Sequence, residues 1–140
     1  MKPLEETILL YQGPWSDIGK AYHDFCKSQK IRFCDVRQEQ YDMPLGLVAF
    51  GDEAQQKEYL RKEEGKKIGG TMMVLAGFTR ERLMHILDEM KQNALPFVPL
   101  KAMLTEHNAV WDSLYLYEHL MEEHAMMKQM QQRGMTKKEE

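Results

Sequence analysis

The residues best suited to binding chemistry lie around position 105. On a helix that starts near Thr105, the side chains of Thr105 and Asn108 are one turn apart, and Lys101 precedes them at the end of a strand. A cation, a hydroxyl, an amide and unpaired backbone N–H groups favour an anionic ligand. With Trp111, these residues form a candidate ligand-binding site. The competing interpretation is structural, with Thr105 as a helix cap and Trp111 at the start of the core.

The histidines of the C-terminal third lack the spacing of a zinc site. His119 and His124 are five residues apart, about 140° round a helix, whereas zinc-binding helices carry histidines four residues apart. His119 and Glu123 share a helix face and are expected to form a simple side-chain pair. We predict no metal site.

The two cysteines, Cys26 and Cys34, do not form a C-x-x-C motif and are interpreted as reduced thiols packed in the structure. Gly69 and Gly70 are not followed by the Lys-Ser/Thr of a phosphate-binding loop. No pairing of a nucleophile with a base is visible. The sequence therefore predicts no catalytic residue and no cofactor, and it favours a protein that is not an enzyme.

A long C-terminal helix is predicted over about 105–133, because no proline or glycine interrupts that range. One apolar stripe follows it from Val110 to Met121, and a second stripe lies on roughly the opposite side. A helix that is buried on just one side needs one apolar stripe. The second indicates either burial on both sides of the helix or contact with another chain. The candidate partner surface consists of Leu116, Leu120, Met126, Met127 and Met130.

Two segments, 7–37 and 71–101, align with each other without a gap. They are identical at Thr7 and Thr71, Gly13 and Gly77, Asp24 and Asp88, Lys27 and Lys91, and Phe33 and Phe97. Each reads as a strand, a helix and a second strand, so we predict two related βαβ-like halves.

The predicted elements of these halves have recognisable ends. The first strands are Thr7–Tyr11 and Met72–Ala76, and the second strands are Ile31–Val36 and Leu95–Leu100. Ser16 and Thr79 are the predicted helix caps.

Between the halves, Pro44–Phe50 is a further strand candidate. Asp52 is expected to cap a charged connecting helix over about 52–65 that ends at Gly65.

The chain of 140 residues is expected to form a single domain, 1–140. The predicted fold class is α/β (α+β): two related βαβ-like halves in one sheet, a ferredoxin-like or similar sandwich, with the long C-terminal helix appended. The net charge of −3 and the lack of a basic stripe argue against nucleic acid as a partner. No membrane span is predicted, and the polar start Met1–Glu6 with two reduced cysteines indicates the cytoplasm.

From about Met73 to His124 the sequence resembles a bacterial family known as domain of unknown function 3783. Five features carry the resemblance: Ala76-Gly77-Phe78, the helix Glu81–Met90, Lys101-Ala-Met-Leu-Thr105, the pair Asn108 and Trp111, and the acidic stretch Glu118–Glu123. The resemblance implies no reaction and no cofactor.

Three functional hypotheses follow from the sequence. The first is a non-enzymatic protein-interaction or regulatory module that self-associates, or binds a partner protein, through the C-terminal helix. The second is a binding protein that holds a small anionic ligand at the Lys101–Asn108 turn. The third is an enzyme of unrecognised type, which shifted pKa values in a cleft would favour.

Overall fold

Two apolar runs form the centre of the sheet. The computed structural model describes residues 5–12, 17–58, 68 and 70–139, with side chains as far as Gln131. Strands β1 (Thr7–Tyr11) and β3 (Met72–Ala76) are buried along their whole length. Both are continuous apolar runs because helices cover both faces of the sheet.

Each central strand is followed by a helix and an edge strand. Helix α1 (Gly19–Gln29) leads to β2 (Arg32–Asp35) through Lys30, which has a left-handed φ of 59°. Helix α4 (Arg80–Gln92) leads to β4 (Leu100–Met103). The predicted Thr79 cap is confirmed, because its Oγ1 accepts a hydrogen bond of 3.2 Å from the Arg82 N–H.

The start of α1 has a different partner from the predicted one. Ser16 lies outside the described residues. The Gly19 N–H donates to Gln12 Oε1 at 3.1 Å, so a side chain just after β1 satisfies a backbone donor at the first residue of the helix.

The four strands have the order β2-β1-β3-β4. β1 is parallel to β2, β3 is parallel to β4, and β1 is antiparallel to β3 with Leu9 opposite Val74. The predicted α/β class is confirmed. The two strands of each βαβ unit are neighbours, so the fold is the related α/β sandwich and differs from the ferredoxin-like split unit.

The second strand of the C-terminal half starts later than predicted. The gapless alignment places Arg32 opposite Pro96, whereas β4 begins at Leu100. Ala94 has a φ of 50°, and Pro96 and Pro99 have no N–H for a ladder, so the chain pairs only beyond them. Both halves have the order strand, helix, strand; that the halves are related stays a prediction.

Alternation along β1 divides the core into two layers. Ile8 and Leu10 pack with residues of α1 and α4 on one face of the sheet. Leu9 and Tyr11 pack on the other face, where they meet helix α2 (Leu45–Phe50) and the start of α5 (Ser113–Glu139).

The predicted strand Pro44–Phe50 is wrong, because this segment forms α2. Leu45, Val48 and Ala49 are buried, and their spacing of three and four residues belongs to a helix face. The predicted cap at Asp52 is confirmed by a hydrogen bond of 2.8 Å from the Gln55 N–H to its Oδ1. Helix α3 covers Glu53–Lys57, and the rest of the helix predicted over 52–65 includes residues outside those described.

Helix α5 begins at Ser113 and not near Thr105 as predicted, and it continues past 133 to Glu139. Its cap is Asp112, whose Oδ1 accepts a hydrogen bond of 2.8 Å from the Tyr115 N–H. The 27-residue helix is about 40 Å long. In the described part of the chain, no helix combines the length and the apolar character needed to cross a membrane.

Candidate functional site

The inner part of α5, Ser113–Leu120, is fixed to the core. The Ser113 hydroxyl and the Tyr11 hydroxyl share a buried hydrogen bond of 2.6 Å. Leu116 is only 2% exposed, so its assignment to the partner surface is corrected: it is a core residue. Leu120 is partly buried against the same cluster. These contacts set the direction in which the rest of the helix leaves the domain.

The outer part of α5 is Met121–Glu139, and its side chains are described as far as Gln131. Every residue from Met121 to Gln131 is exposed. Met126, Met127 and Met130 are 61%, 58% and 65% exposed. These three belong to the predicted partner surface, and the structure leaves them uncovered by the chain's own core. An exposed cluster of large apolar side chains on one helix segment is typical of a binding surface.

A groove lies where α5 passes the open edge of β4. Its volume is about 190 Å³. The strand side contributes Leu100 and Lys101, and the helix side contributes Glu123, His124 and Met127. β4 is an edge strand of only four residues, and its outer side has no strand partner among the described residues. The groove therefore joins an open sheet edge to the exposed methionine segment.

Lys101 makes no hydrogen bond to Thr105 or Asn108. Its Nζ lies 5.0 Å from the centroid of the Phe97 ring. Burial lowers the pKa of Lys101, and the charge of Lys91 lowers it further. Phe97 is itself 80% exposed, so Lys101 and Phe97 form a surface pair beside α4.

Thr105 and Asn108 bond to each other. The Thr105 N–H donates to Asn108 Oδ1 at 2.8 Å, and the Asn108 N–H donates to Thr105 Oγ1 at 3.2 Å. Asn108 Nδ2 donates to the Met103 carbonyl at 3.0 Å. These donors close a turn between β4 and α5. Because no helix starts at Thr105, the dipole that was expected to attract an anion is absent from that position.

Trp111 belongs to an aromatic cluster at the start of α5. Its ring centroid lies 4.7 Å from that of Tyr115, 5.3 Å from that of His119 and 5.4 Å from that of His107, each in an edge-on arrangement. His119 Nε2 also lies 3.1 Å from Glu123 Oε1, which confirms the expected side-chain pair. The cluster supports the structural interpretation of Trp111.

Sequence reasoning missed a cleft at the carboxyl ends of the parallel strands β3 and β4. Its volume is about 540 Å³. It is lined by Gly46, Phe50, Gly77, Phe78, Thr79, Leu104, Thr105, Glu106 and Ala109. The signal that could have indicated it is the glycine after β3 with a helix cap two residues later, since ligands often bind beyond the carboxyl ends of parallel strands.

The thiols and possible metal ligands of the described residues are dispersed. Cys26 packs among the side chains below α1 and α4, whereas Cys34 packs against the cluster on the opposite face of the sheet. Burial raises the pKa of Cys26 to about 12 and also raises that of Cys34. Within the described residues, no group of three or more His, Cys, Asp or Glu side chains could hold a metal ion.

Comparisons with known proteins bear on the second half of the chain. No curated protein and no solved structure matches this sequence. A protein-family model does match one segment, residues 71–127. This segment contains β3, α4, β4, the inner part of α5 and the start of its outer part. This confirms a resemblance in the second half of the chain. Residues 71–127 match the family described as Domain of unknown function (DUF3783).

Proposed function

We propose that this protein is a non-enzymatic interaction module of the bacterial cytoplasm, and that the outer part of α5 is its binding surface. The observation that carries the proposal is the unbroken exposure of Met121–Gln131 in a helix whose inner part is fixed in the core. The cytoplasmic location is supported by the two cysteines. They lie on opposite faces of the sheet, so they do not pair with each other and remain free thiols.

The physical argument concerns how an exposed helix stays folded. Most helical stability in proteins comes from packing of an apolar face, and isolated helices are marginal in water. The outer part of α5 has no such packing as far as its side chains are described, to Gln131. Its three most exposed methionines offer adaptable apolar contact. A partner that covers them would supply the missing support.

Site-specific photocrosslinking in the producing cells tests this function. A photoreactive residue replaces Met127 in one protein and Met84 in a control. Met84 lies on α4 and is 63% exposed, so it matches Met127 in residue type and accessibility. We expect discrete protein adducts from position 127 and none from position 84. The same adduct pattern at both positions, or none at 127, would contradict the proposal.

A second candidate function is the binding of a small molecule in the cleft beyond β3 and β4. The observation that favours it is the cleft volume of about 540 Å³, which lies within the usual range of ligand pockets of about 300–1,000 Å³. Phe50 and Phe78 supply apolar walls. The hydroxyls of Thr79 and Thr105 each accept a backbone N–H and keep their own hydrogen for a ligand acceptor.

A thermal-shift screen with NMR mapping tests this candidate. A true ligand should raise the melting temperature and move the amide signals of Phe78 and Leu104 together. The signals of Phe97 and Lys101, which line a different pocket beside α4, serve as the internal control. Hits that move both sets equally would exclude a specific cleft ligand.

The alternative of an anionic ligand at the Lys101–Asn108 turn has less support from the geometry. Lys101 contacts Phe97, and the amides of Thr105 and Asn108 are used within the turn. An enzymatic role has no comparable support, because Glu106 is the single ionisable side chain among the described residues that line the larger cleft.

A further inference from the structure

We infer that the partner of the outer part of α5 is the same helix of a second copy of this chain, in antiparallel orientation. This inference rests on the proposed function and names its partner. Three observations carry it: the order of charges along the helix, the spacing of its exposed methionines, and the groove at the edge of β4.

Charges of opposite sign are separated along α5. The stretch Glu118–Glu123 carries three glutamates, whereas 124–138 carries Lys128, Arg133, Lys137 and Lys138 and is followed by Glu139 and Glu140. The glutamates and Lys128 are exposed. Two such helices side by side in parallel would place like charges together, which is unfavourable. An antiparallel pair places the acidic stretch of each copy against the basic stretch of the other.

The exposed methionines define a register for this pair. Met127 and Met130 are three residues apart, a spacing that is typical of a helix–helix seam. With the two-fold axis between Lys128 and Gln129, Met127 of each copy faces the partner's Met130. The same register brings residues 119–124 to the level of 133–138, so Glu122 and Glu123 lie beside the basic stretch of the partner, while Glu118 comes level with Glu139.

The groove beside β4 gives the end of the partner helix a place to lie. Leu120, Glu123 and Met127 border it on the helix side, and Lys101 borders it on the strand side. The antiparallel register carries the partner's segment 130–137 past this groove. The contact is short and depends on exposed charges, so the dimer should be weak and should dissociate as salt is added.

Multi-angle light scattering on the purified full-length protein tests the association. At low salt and high micromolar concentration we expect about twice the monomer mass of 16.5 kDa, with a return to the monomer mass as salt is added. Met130→Glu should give the monomer mass under all conditions, because it places a carboxylate at the seam. Met84→Glu, at a methionine of nearly equal exposure on α4, should behave like the wild type.

Cysteine crosslinking tests the orientation. Met127→Cys mixed with Met130→Cys should give an intermolecular disulfide, because these positions face each other across the seam, whereas Glu123→Cys should not crosslink to itself. Glu123→Cys mixed with Gly134→Cys, which lie at the same level and on the seam side of the helix, should give the crosslinked heterodimer. Wild-type protein under the same oxidation controls for Cys26 and Cys34. Efficient self-crosslinking of Glu123→Cys would indicate a parallel pair and overturn the inference.

The outcomes also separate this inference from the proposed function. A purified protein that stays monomeric at low salt, together with discrete adducts to a different protein at position 127 in cells, overturns the second copy as partner and leaves the interaction role in place. A monomer without adducts at position 127 contradicts both.

Discussion

Tyr11, the last residue of β1, and Ser113, the first residue of α5, share a buried hydrogen bond of 2.6 Å. The two residues are 102 positions apart in the sequence, so this bond joins the first strand to the last helix. Burial raises the pKa of Tyr11 above its ordinary value, which keeps the hydroxyl protonated. The bond satisfies both hydroxyls and fixes the point at which α5 leaves the domain.

Removal of one partner of this bond should be costly. Ser113→Ala leaves the buried Tyr11 hydroxyl without its partner, so we expect the free energy of unfolding to fall by about 1–3 kcal/mol. Tyr11→Phe with Ser113→Ala removes both polar groups and should recover part of that loss. Urea unfolding of the two single variants and the double variant measures the coupling. If the double variant loses the sum of the two single losses in free energy of unfolding, the bond contributes nothing to stability.

The inner and outer parts of α5 should respond differently to truncation of a side chain. Leu116→Ala removes a fully buried side chain and should lower the free energy of unfolding by about 2–5 kcal/mol. Met127→Ala, at an exposed position, should change it by less than about 0.5 kcal/mol. Thermal unfolding of dilute protein compares the two. A large loss for Met127→Ala would mean that the outer part of α5 belongs to the domain core.

The position of the helix cap predicts a local effect. Asp112→Ala removes the oxygen that accepts the Tyr115 N–H, and it should lower the free energy of unfolding by about 1 kcal/mol. Asp112→Asn keeps an oxygen acceptor and should retain most of the stability. Circular dichroism with urea titration measures both. Equal losses for the two variants would assign the effect to the charge of Asp112 and not to the cap.

Buried thiols predict a loss of stability in alkali. Burial raises the pKa of Cys26 from 9.0 to about 12, so the folded state holds this proton over a range in which the unfolded chain releases it. The contribution of the neutral thiol is therefore complete below about pH 9 and declines as the pH rises toward 12.

Urea titrations at pH 8 and pH 10 measure this dependence on wild type and on Cys26→Ala. We expect the free energy of unfolding to fall less between these pH values in the variant, because it lacks the thiol whose proton is released on unfolding. Cys34, Tyr11, Tyr22 and Tyr41 also have raised pKa values from burial and should keep part of the decline. An identical decline in both proteins would show that Cys26 does not titrate on unfolding.

The elements with a strong local pattern could be predicted from the sequence. The continuous apolar runs of β1 and β3 and the caps at Thr79 and Asp52 were all confirmed, because each depends on neighbouring residues alone. Segment 44–50 was mistaken for a strand since a short apolar run has no decisive period. The helical form of this segment is shown by the burial of Leu45, Val48 and Ala49, which lie on one helix face.

The candidate site shows the same division between local and distant information. Met126, Met127 and Met130 are predicted to belong to a partner surface; the structure leaves them exposed, and the partner itself stays a prediction. Leu116 belongs to the same apolar pattern but is buried, because helix α5 starts at Ser113 and its first turns cross the sheet. The cleft beyond β3 and β4 depends on which strands are neighbours, and a single sequence does not contain that order.

The central claim is that the outer part of α5 is supported by another molecule and not by its own domain. Hydrogen exchange of backbone amides in dilute, purified protein tests it most directly, because exchange reports local opening of each segment. We expect amides of 121–139 to exchange within seconds while those of 113–120 stay protected, with protection of 121–139 appearing as the protein concentration rises. Equal protection of both segments at the lowest concentration would contradict the account.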